Sequence, residues 1–406
     1  MLRQDQIKAA IDLQKSSFLK KDAGLGRESL IEIPVSDSYA TVVTGIRRCG
    51  KSTLLLQLLK KEYSDAFYLN FEDIRLVEFE TSDFSRLYDE IISRHLNVLF
   101  FDEIQFIDGW EIFVRQLLTE GFTVFVTGSN ASLLSRELGT RLTGRHLPME
   151  LFPFSYREYV RLKNLEINEN SLAEYLKVGG MPEYVKKDPD VRGTILPALV
   201  DDILMRDIAV RYSVRDADSL RKLAVYLMSN IGNLVSAYKL AGIFGIKSST
   251  TILEYFSYFK NAYLFEFLPQ FSWSLKSQAK NPKKVYSIDT GMVTEISGAY
   301  TENIGHKFEN LIYLHLRRKH KSSEIFYFKE KGECDFVVFE KGKAKEVVQV
   351  CYAIDDLNFE REYSGLLEAM SFFNLKEGTI VTLNQKDLFK KDKMTVKMVP
   401  AHEYLS

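Results

Sequence analysis

Cysteine is scarce: three residues, Cys49, Cys334 and Cys351, in a chain of 406. An odd number so widely spaced excludes a disulfide framework and fits a reducing compartment, so a cytoplasmic protein is expected. Proline is scarce too, at nine residues, and no low-complexity tract or internal repeat interrupts the chain, which argues against long disordered segments. No apolar run approaches the roughly 18 residues that a membrane helix needs. The opening MLRQDQIKAAIDLQKSS has no apolar h-region and reads as an amphipathic helix rather than a signal peptide. Neither sign of charge dominates, with 54 Lys+Arg against 55 Asp+Glu, so bulk charge announces neither a nucleic-acid nor a membrane partner. Six histidines lack metal-ligand spacing, and His95, His146 and His306 read as core or surface residues. What the chain does have is 46% hydrophobic residues, enough for two to four domains at roughly 150 residues each.

After an N-terminal helical segment (1–35), five short apolar runs read as strands: 39–44, 66–70, 98–101, 123–127 and 147–151. Helical patterns lie between most of them, at Lys51 to about Lys61, Trp110–Thr119 and Ser132–Leu138. Continuously apolar strands alternating with helices predict a parallel sheet covered on both faces, an α/β unit over 36–153. A helical segment follows over 154–215, broken at Gly179-Gly180-Met181-Pro182. Residues 216–295 then show three helical patterns and two strands, the order of a winged helix. The last segment, 296–406, reads as helix, three strands, helix and strand, a further α/β domain.

Gly45-Ile46-Arg47-Arg48-Cys49-Gly50-Lys51-Ser52 fits G-x-x-x-x-G-K-[ST], with a β-branched strand before it and an apolar helix beginning Lys51-Ser52-Thr53 after it. The glycines let the backbone curl so that successive N–H groups surround a phosphate. Lys51 supplies charge toward the β- and γ-phosphates, and the Ser52 hydroxyl is a Mg²⁺ ligand. Cys49 lies inside this loop, where it reads as a small residue that fits.

Val98-Leu-Phe-Phe-Asp102-Glu103 puts two acids at the carboxyl end of a buried strand. Asp102 is expected to hold Mg²⁺ and Glu103 to orient or deprotonate an attacking water. The next strand ends Thr127-Gly-Ser129-Asn130; Asn130 is the candidate sensor of phosphate or water, and Asn130 or Ser129 equally suits a helix cap. Hydrolysis also needs positive charge on the transferring group. Arg145 is the first candidate and Arg141 the second, in cis or from a neighbouring subunit.

The runs GIRRCGKSTLL, YLNFED, LFFDEIQ, VTGSNASLL, TRLTGR, LFPFSYREY and GGMPEYV, in this order, resemble the bacterial and archaeal AAA-type ATPases that carry a C-terminal nuclease-like domain of unknown function. The resemblance spans nearly the whole chain. It implies an AAA-like P-loop core, a helical lid, a winged helix and a nuclease-like end, and it implies ATP where the residues alone do not choose between ATP and GTP. The winged helix offers Lys247, Ser248, Thr250, Thr251 and Lys260 on its third helix, and Lys276, Lys280, Lys283 and Lys284 in its hairpin. These suit contacts to DNA phosphates, although such modules also dock proteins. The C-terminal segment is similar to PD-(D/E)xK nucleases at Glu309 and Asp335, but Gln349 and Cys351 replace the acid and lysine of the tripeptide, so a degenerate site is expected. The leading expectation is a Mg-ATP-dependent ATPase that moves its later domains. The alternative is a low-turnover, nucleotide-gated switch that binds DNA or protein; a metal-dependent nuclease ranks below both. Oligomeric state is not legible.

Overall fold

The apolar runs of the N-terminal third pair as one five-stranded sheet: β1 (Ala40–Thr44), β2 (Phe67–Asn70), β3 (Val98–Asp102), β4 (Thr123–Gly128) and β5 (His146–Glu150). Every pairing is parallel and the order is β2-β3-β4-β1-β5. The computed structural model describes residues 1–131, 142, 144–246, 248–297 and 303–406. The helix expected at Ser132–Leu138 and residues Arg141 and Lys247 lie outside them. The chain divides into two units, Met1–Phe152 with Asn261–Tyr263, and Pro153–Lys260 with Leu264–Ser406.

In the first unit, alternate strand residues feed two cores, as the period of a β-strand requires. Leu69, Phe101, Val124 and Val126 face one core with Ile7, Ala10 and Ile11 of helix α1 (Gln4–Lys20). Tyr68, Phe100 and Phe125 face the other, with Leu55, Leu58 and Leu59 of α2 (Lys51–Glu62). The N-terminal helix is thus an integral layer of this unit. Helix α3 (Phe84–Ser93), which the sequence reading did not single out, and α4 (Trp110–Thr119) add Leu87, Ile91, Val114 and Leu117 to the first core.

In the second unit, helices Tyr156–Lys163 and Glu169–Val178 lead to the Gly-Gly-Met-Pro break. Gly179 has φ +74°, and a Cβ there would lie 2.3 Å from Asp289 Oδ1; a Cβ on Gly180 would lie 2.2 Å from the Phe154 carbonyl oxygen. Both glycines are therefore fixed by close approach of other chain segments. Asp289 accepts from the N–H groups of Gly180 (2.6 Å) and Met292 (3.1 Å).

Helices Ala217–Ser229, Ala237–Ile243 and Ser249–Asn261 accompany a three-stranded sheet of β6 (Leu234–Val235, between the first two helices), β7 (Phe265–Pro269) and β8 (Lys283–Ser287), in the order β6-β8-β7. The β7–β8 connection, read from the sequence as part of a hairpin, contains a helix, Leu275–Lys280. The helix Ile304–Lys319 and a six-stranded sheet follow, with β9 (Ile325–Lys329), β10 (Glu333–Glu340), β11 (Lys343–Val350), β12 (Glu377–Thr382), β13 (Asp387–Lys391) and β14 (Met394–Pro400) in the order β13-β14-β12-β11-β10-β9. Helix Phe359–Phe372 supplies Leu366 and Met370 to its core.

Burial pushes the Asp289 carboxyl up to about 6, against the pull of the N–H groups of Gly180, Met292 and Gly291. The folded chain therefore holds this proton more tightly than the unfolded chain, and the group's contribution to stability falls as pH rises from about 4 to about 6. Asp289→Ala leaves backbone N–H groups unpaired and should cost about 2 kcal/mol at pH 4.5. Urea melts should show that deficit shrinking by about 2 kcal/mol at pH 7; a deficit that grows with pH would contradict this account.

Candidate functional site

The turn after β1 depends on its glycines. A Cβ on Gly45 would sit 2.2 Å from the Leu151 carbonyl oxygen, and Gly50 holds φ +104° as it opens α2. Two features behind the loop were missed in the sequence. Gln57 of α2 donates to the carbonyls of Ala23 and Leu25, both at 2.7 Å, and accepts from the Arg27 N–H. Arg27, buried, then donates to the carbonyls of Cys49 (2.9 Å) and Phe152 (2.6 Å). No spacing rule marks Arg27, because its partners are backbone atoms far along the chain.

Lys51 is 4% exposed. Its Nζ donates to the carbonyls of Gly45 (3.1 Å) and Ile46 (3.3 Å) and lies 3.6 Å from Glu103 Oε1. Burial works to raise the Glu103 carboxyl, but Lys51, Gln105 and Arg47 outweigh it and hold the carboxyl below its ordinary value. Glu103 has φ +53°, an uncommon conformation for a residue with a side chain. Arg47 pairs with Glu72 at 3.1 Å. Burial raises the Cys49 thiol, which makes it a poor nucleophile.

Asp102 is fully buried. Burial first, and then the charge of Glu103, raise its carboxyl, opposed by hydrogen bonds from Ser52, Thr127 and Tyr68. Tyr68 donates to Oδ2 at 3.0 Å, Thr127 donates to Oδ1, and the Thr127 hydroxyl accepts from the Glu103 N–H at 2.9 Å. Thr127 is thus the polar group near the β4 tip that joins both acids, and Asn130, the candidate sensor, is buried two residues past the end of β4. In the sequence Thr127 shows only as a polar residue after Val124-Phe125-Val126; that β4 runs between β1 and β3 is seen in the fold.

The glycine cradle, the ammonium and the Ser52–Asp102 oxygen pair are the donor set that a Mg-nucleotide needs. Arg145 does not join them. It precedes β5 beside Ala40, at the amino edge of the sheet, whereas the loop follows Thr44 at the carboxyl edge. Its exposed side chain reaches Thr119 at 3.4 Å. As a cis arginine it is corrected by this placement; Arg141 lies outside the described residues.

Of the C-terminal candidates, Glu309 and Asp335 meet at a third group, Lys284, at 3.1 and 2.8 Å. Gln349 accepts from the Asp335 N–H at 3.2 Å and donates to Glu362. Cys351 turns away to Ala353 and Asn358. Lys284 is buried in β8, which corrects its assignment to a DNA-facing turn. Lys260, another expected phosphate contact, pairs with Ser322 (3.1 Å) and Glu266 (3.8 Å). Lys276 and Lys280 are exposed. Among the described residues no helix is long and apolar enough to cross a membrane.

An AAA domain family matches residues 37–160, and a domain of unknown function matches residues 169–303. The uncharacterized protein MJ1544 of Methanocaldococcus jannaschii is 34% identical over 396 residues, covering 92% of this chain and 88% of that protein. An uncharacterized protein of Haemophilus influenzae is 31% identical over 357 residues, covering 82% and 88%. Among solved structures, C. elegans PCH-2 matches 55% of this chain and 62% of that one at 14% identity with a TM-score of 0.22, a likeness too low to bear on fold or function.

Thr127→Val should cost about 2 kcal/mol of stability, because it leaves a buried carboxylate oxygen and the Glu103 N–H without their shared partner. Thr127→Ser keeps the hydroxyl and should recover most of that loss. Equal melting temperatures for the valine variant and the native chain would refute the bridging role.

Proposed function

We propose that this chain, which belongs to the family of AAA-domain proteins that includes MJ1544 of M. jannaschii, binds ATP with Mg²⁺, hydrolyses it and uses the nucleotide cycle to act through its second unit. The parallel sheet and the AAA domain match make the N-terminal unit an AAA-type P-loop domain. The observation that carries the reading further is the meeting of two segments half a hundred residues apart: Lys51 lies against Glu103, while Ser52 and Thr127 hold Asp102.

In this reading the loop N–H groups from Gly45 to Thr53 surround the phosphates, and Lys51 leaves its carbonyl partners for phosphate oxygens. Ser52 and Asp102 would hold Mg²⁺, which supplies charge neutralisation across the phosphate oxygens. Glu103, kept ionised by its surroundings, accepts a proton from the attacking water. Thr127 fixes the Asp102 carboxylate and the Glu103 backbone, so both acids keep one orientation. Positive charge on the transferring phosphoryl is left to Arg141 or to an arginine of a neighbouring subunit.

The three helices and β6–β8 are assigned as a winged helix, and the C-terminal unit as a nuclease-like fold whose site is degenerate. A second reading, a nucleotide-gated switch with little turnover that docks a protein, is favoured by the surface of the winged helix. Tyr238, Ile243 and Leu253 are 83%, 61% and 49% exposed, while Lys284 and Lys260 are engaged within the chain. Contact with DNA would rest on Lys276, Lys280 and Lys283.

Mg²⁺-dependent ATP turnover, with and without duplex DNA, separates these readings. The native chain should turn over, Lys51→Ala should lose nucleotide binding, and Glu103→Gln should bind ATP but lose turnover by about a hundredfold or more. Turnover unchanged in Glu103→Gln would refute the assigned base. Binding without turnover in the native chain would favour the switch, and stimulation by DNA would restore the lysines of the hairpin as contacts.

A further inference from the structure

The strongest unexplained feature outside the phosphate loop is the group of acids around Lys284. Its Nζ lies 2.8 Å from Asp335 Oδ1, 3.0 Å from Glu333 Oε1 and 3.1 Å from Glu309 Oε1. Glu309 and Asp335 are buried and Glu333 is partly exposed. The Tyr286 hydroxyl also donates to Glu309 at 2.6 Å, and the Val350 N–H donates to Asp335 Oδ2 at 2.9 Å. Carboxylates gathered out of water require a cation or protons.

We infer that the Lys284 ammonium is the resident cation of this site, occupying the position where the three carboxylates converge and excluding a divalent metal from it. The lysine comes from β8 of the three-stranded sheet, and the acids come from helix Ile304–Lys319 and from β10. One ammonium therefore does two things. It offsets part of the acids' charge without a metal, while burial pushes the Glu309 carboxyl up to about 7, and it pins β8 to the C-terminal sheet.

The surroundings agree with a fixed internal cation rather than a mobile surface lysine. Beyond β7, the Phe271 N–H donates to the Tyr327 carbonyl at 2.7 Å, and the Phe271 ring stacks on Phe339 at 5.0 Å. The Tyr327 hydroxyl donates to the Pro282 carbonyl at 2.8 Å, two residues before Lys284. Arg317, buried, pairs with buried Glu266 of β7 at 3.2 Å. The hairpin is thus held on both of its strands, and the Lys284 backbone cannot swing away without breaking these contacts.

The arrangement makes a specific claim about metals. With Lys284 in place, no metal should bind between Glu309, Glu333 and Asp335. With the ammonium removed and the space left open, the same oxygens should accept a divalent cation.

The test is thermal melting of the full chain in EDTA and in millimolar MnCl₂, for the native chain, Lys284→Met, Lys284→Ala and Lys284→Ala/Glu309→Gln. Lys284→Met keeps the volume and removes the charge, so it should melt roughly 10 °C lower. Mn²⁺ should restore at least half of the loss in Lys284→Ala and none of it in the double variant, which also controls for Mn²⁺ bound elsewhere. Native-like melting of Lys284→Met, or a Lys284→Ala loss that Mn²⁺ does not relieve, would overturn the inference. Should the alanine variant not fold, Mn²⁺ paramagnetic resonance on the native chain and on Glu309→Gln decides. Equal bound Mn²⁺ in the two supports the inference, and bound Mn²⁺ lost with Glu309 overturns it.

Discussion

The Lys51 ammonium, set between two carbonyls of its own loop and the Glu103 carboxylate, is the contact on which the N-terminal unit's chemistry depends. It can form only because the strand order puts β4 between β1 and β3, so that the loop after Thr44 and the acids at the end of β3 open on the same edge. The strands bury alternate residues in two separate cores, one on each face of their sheet. The loop itself is fixed from behind by Arg27 and Gln57. Any anion that enters this loop competes with Glu103 for the ammonium, and this competition links phosphate binding to freeing the residue assigned as base.

The second unit is organised by the same device in a different place. Lys284 gathers three carboxylates, and Arg317 with Glu266 forms a second buried pair between the same segments. Such pairs cost desolvation and are kept in place by the hydrogen bonds around them. Their effect here is to tie the three-stranded sheet to the C-terminal sheet and its helix. The basic hairpin that suggested a DNA contact is thereby divided: its last lysine is internal, and Lys276 and Lys280 sit on a short helix.

The sequence made some of this visible and concealed the rest for identifiable reasons. Strands β1 to β5 were legible to within a residue or two because buried parallel strands are continuous apolar runs. The loop residues Gly45 to Thr53 and the acids Asp102 and Glu103 were legible because their chemistry is local in sequence. Glu309 and Asp335 were recognisable as a pair of acids. Lys284 was misread because charge in a stretch bounded by turns looks solvated until its partners, far along the chain, are known. Arg145 was misplaced because proximity in sequence to the sheet does not say which edge a residue occupies. The β13–β14 hairpin was missed because β13, Asp387-Leu-Phe-Lys-Lys391, carries the charges typical of a sheet edge and shows no alternation. Thr127 was visible, but a hydroxyl at a strand tip signals nothing until the neighbouring strand is known.

The central claim is that Glu103 competes with phosphate for Lys51, and calorimetric titration of Mg-ADP into the native chain and Glu103→Gln tests it without turnover. Removing the carboxylate should tighten Mg-ADP binding by about tenfold, equivalent to about 1.4 kcal/mol. Equal or weaker binding by Glu103→Gln would contradict the account.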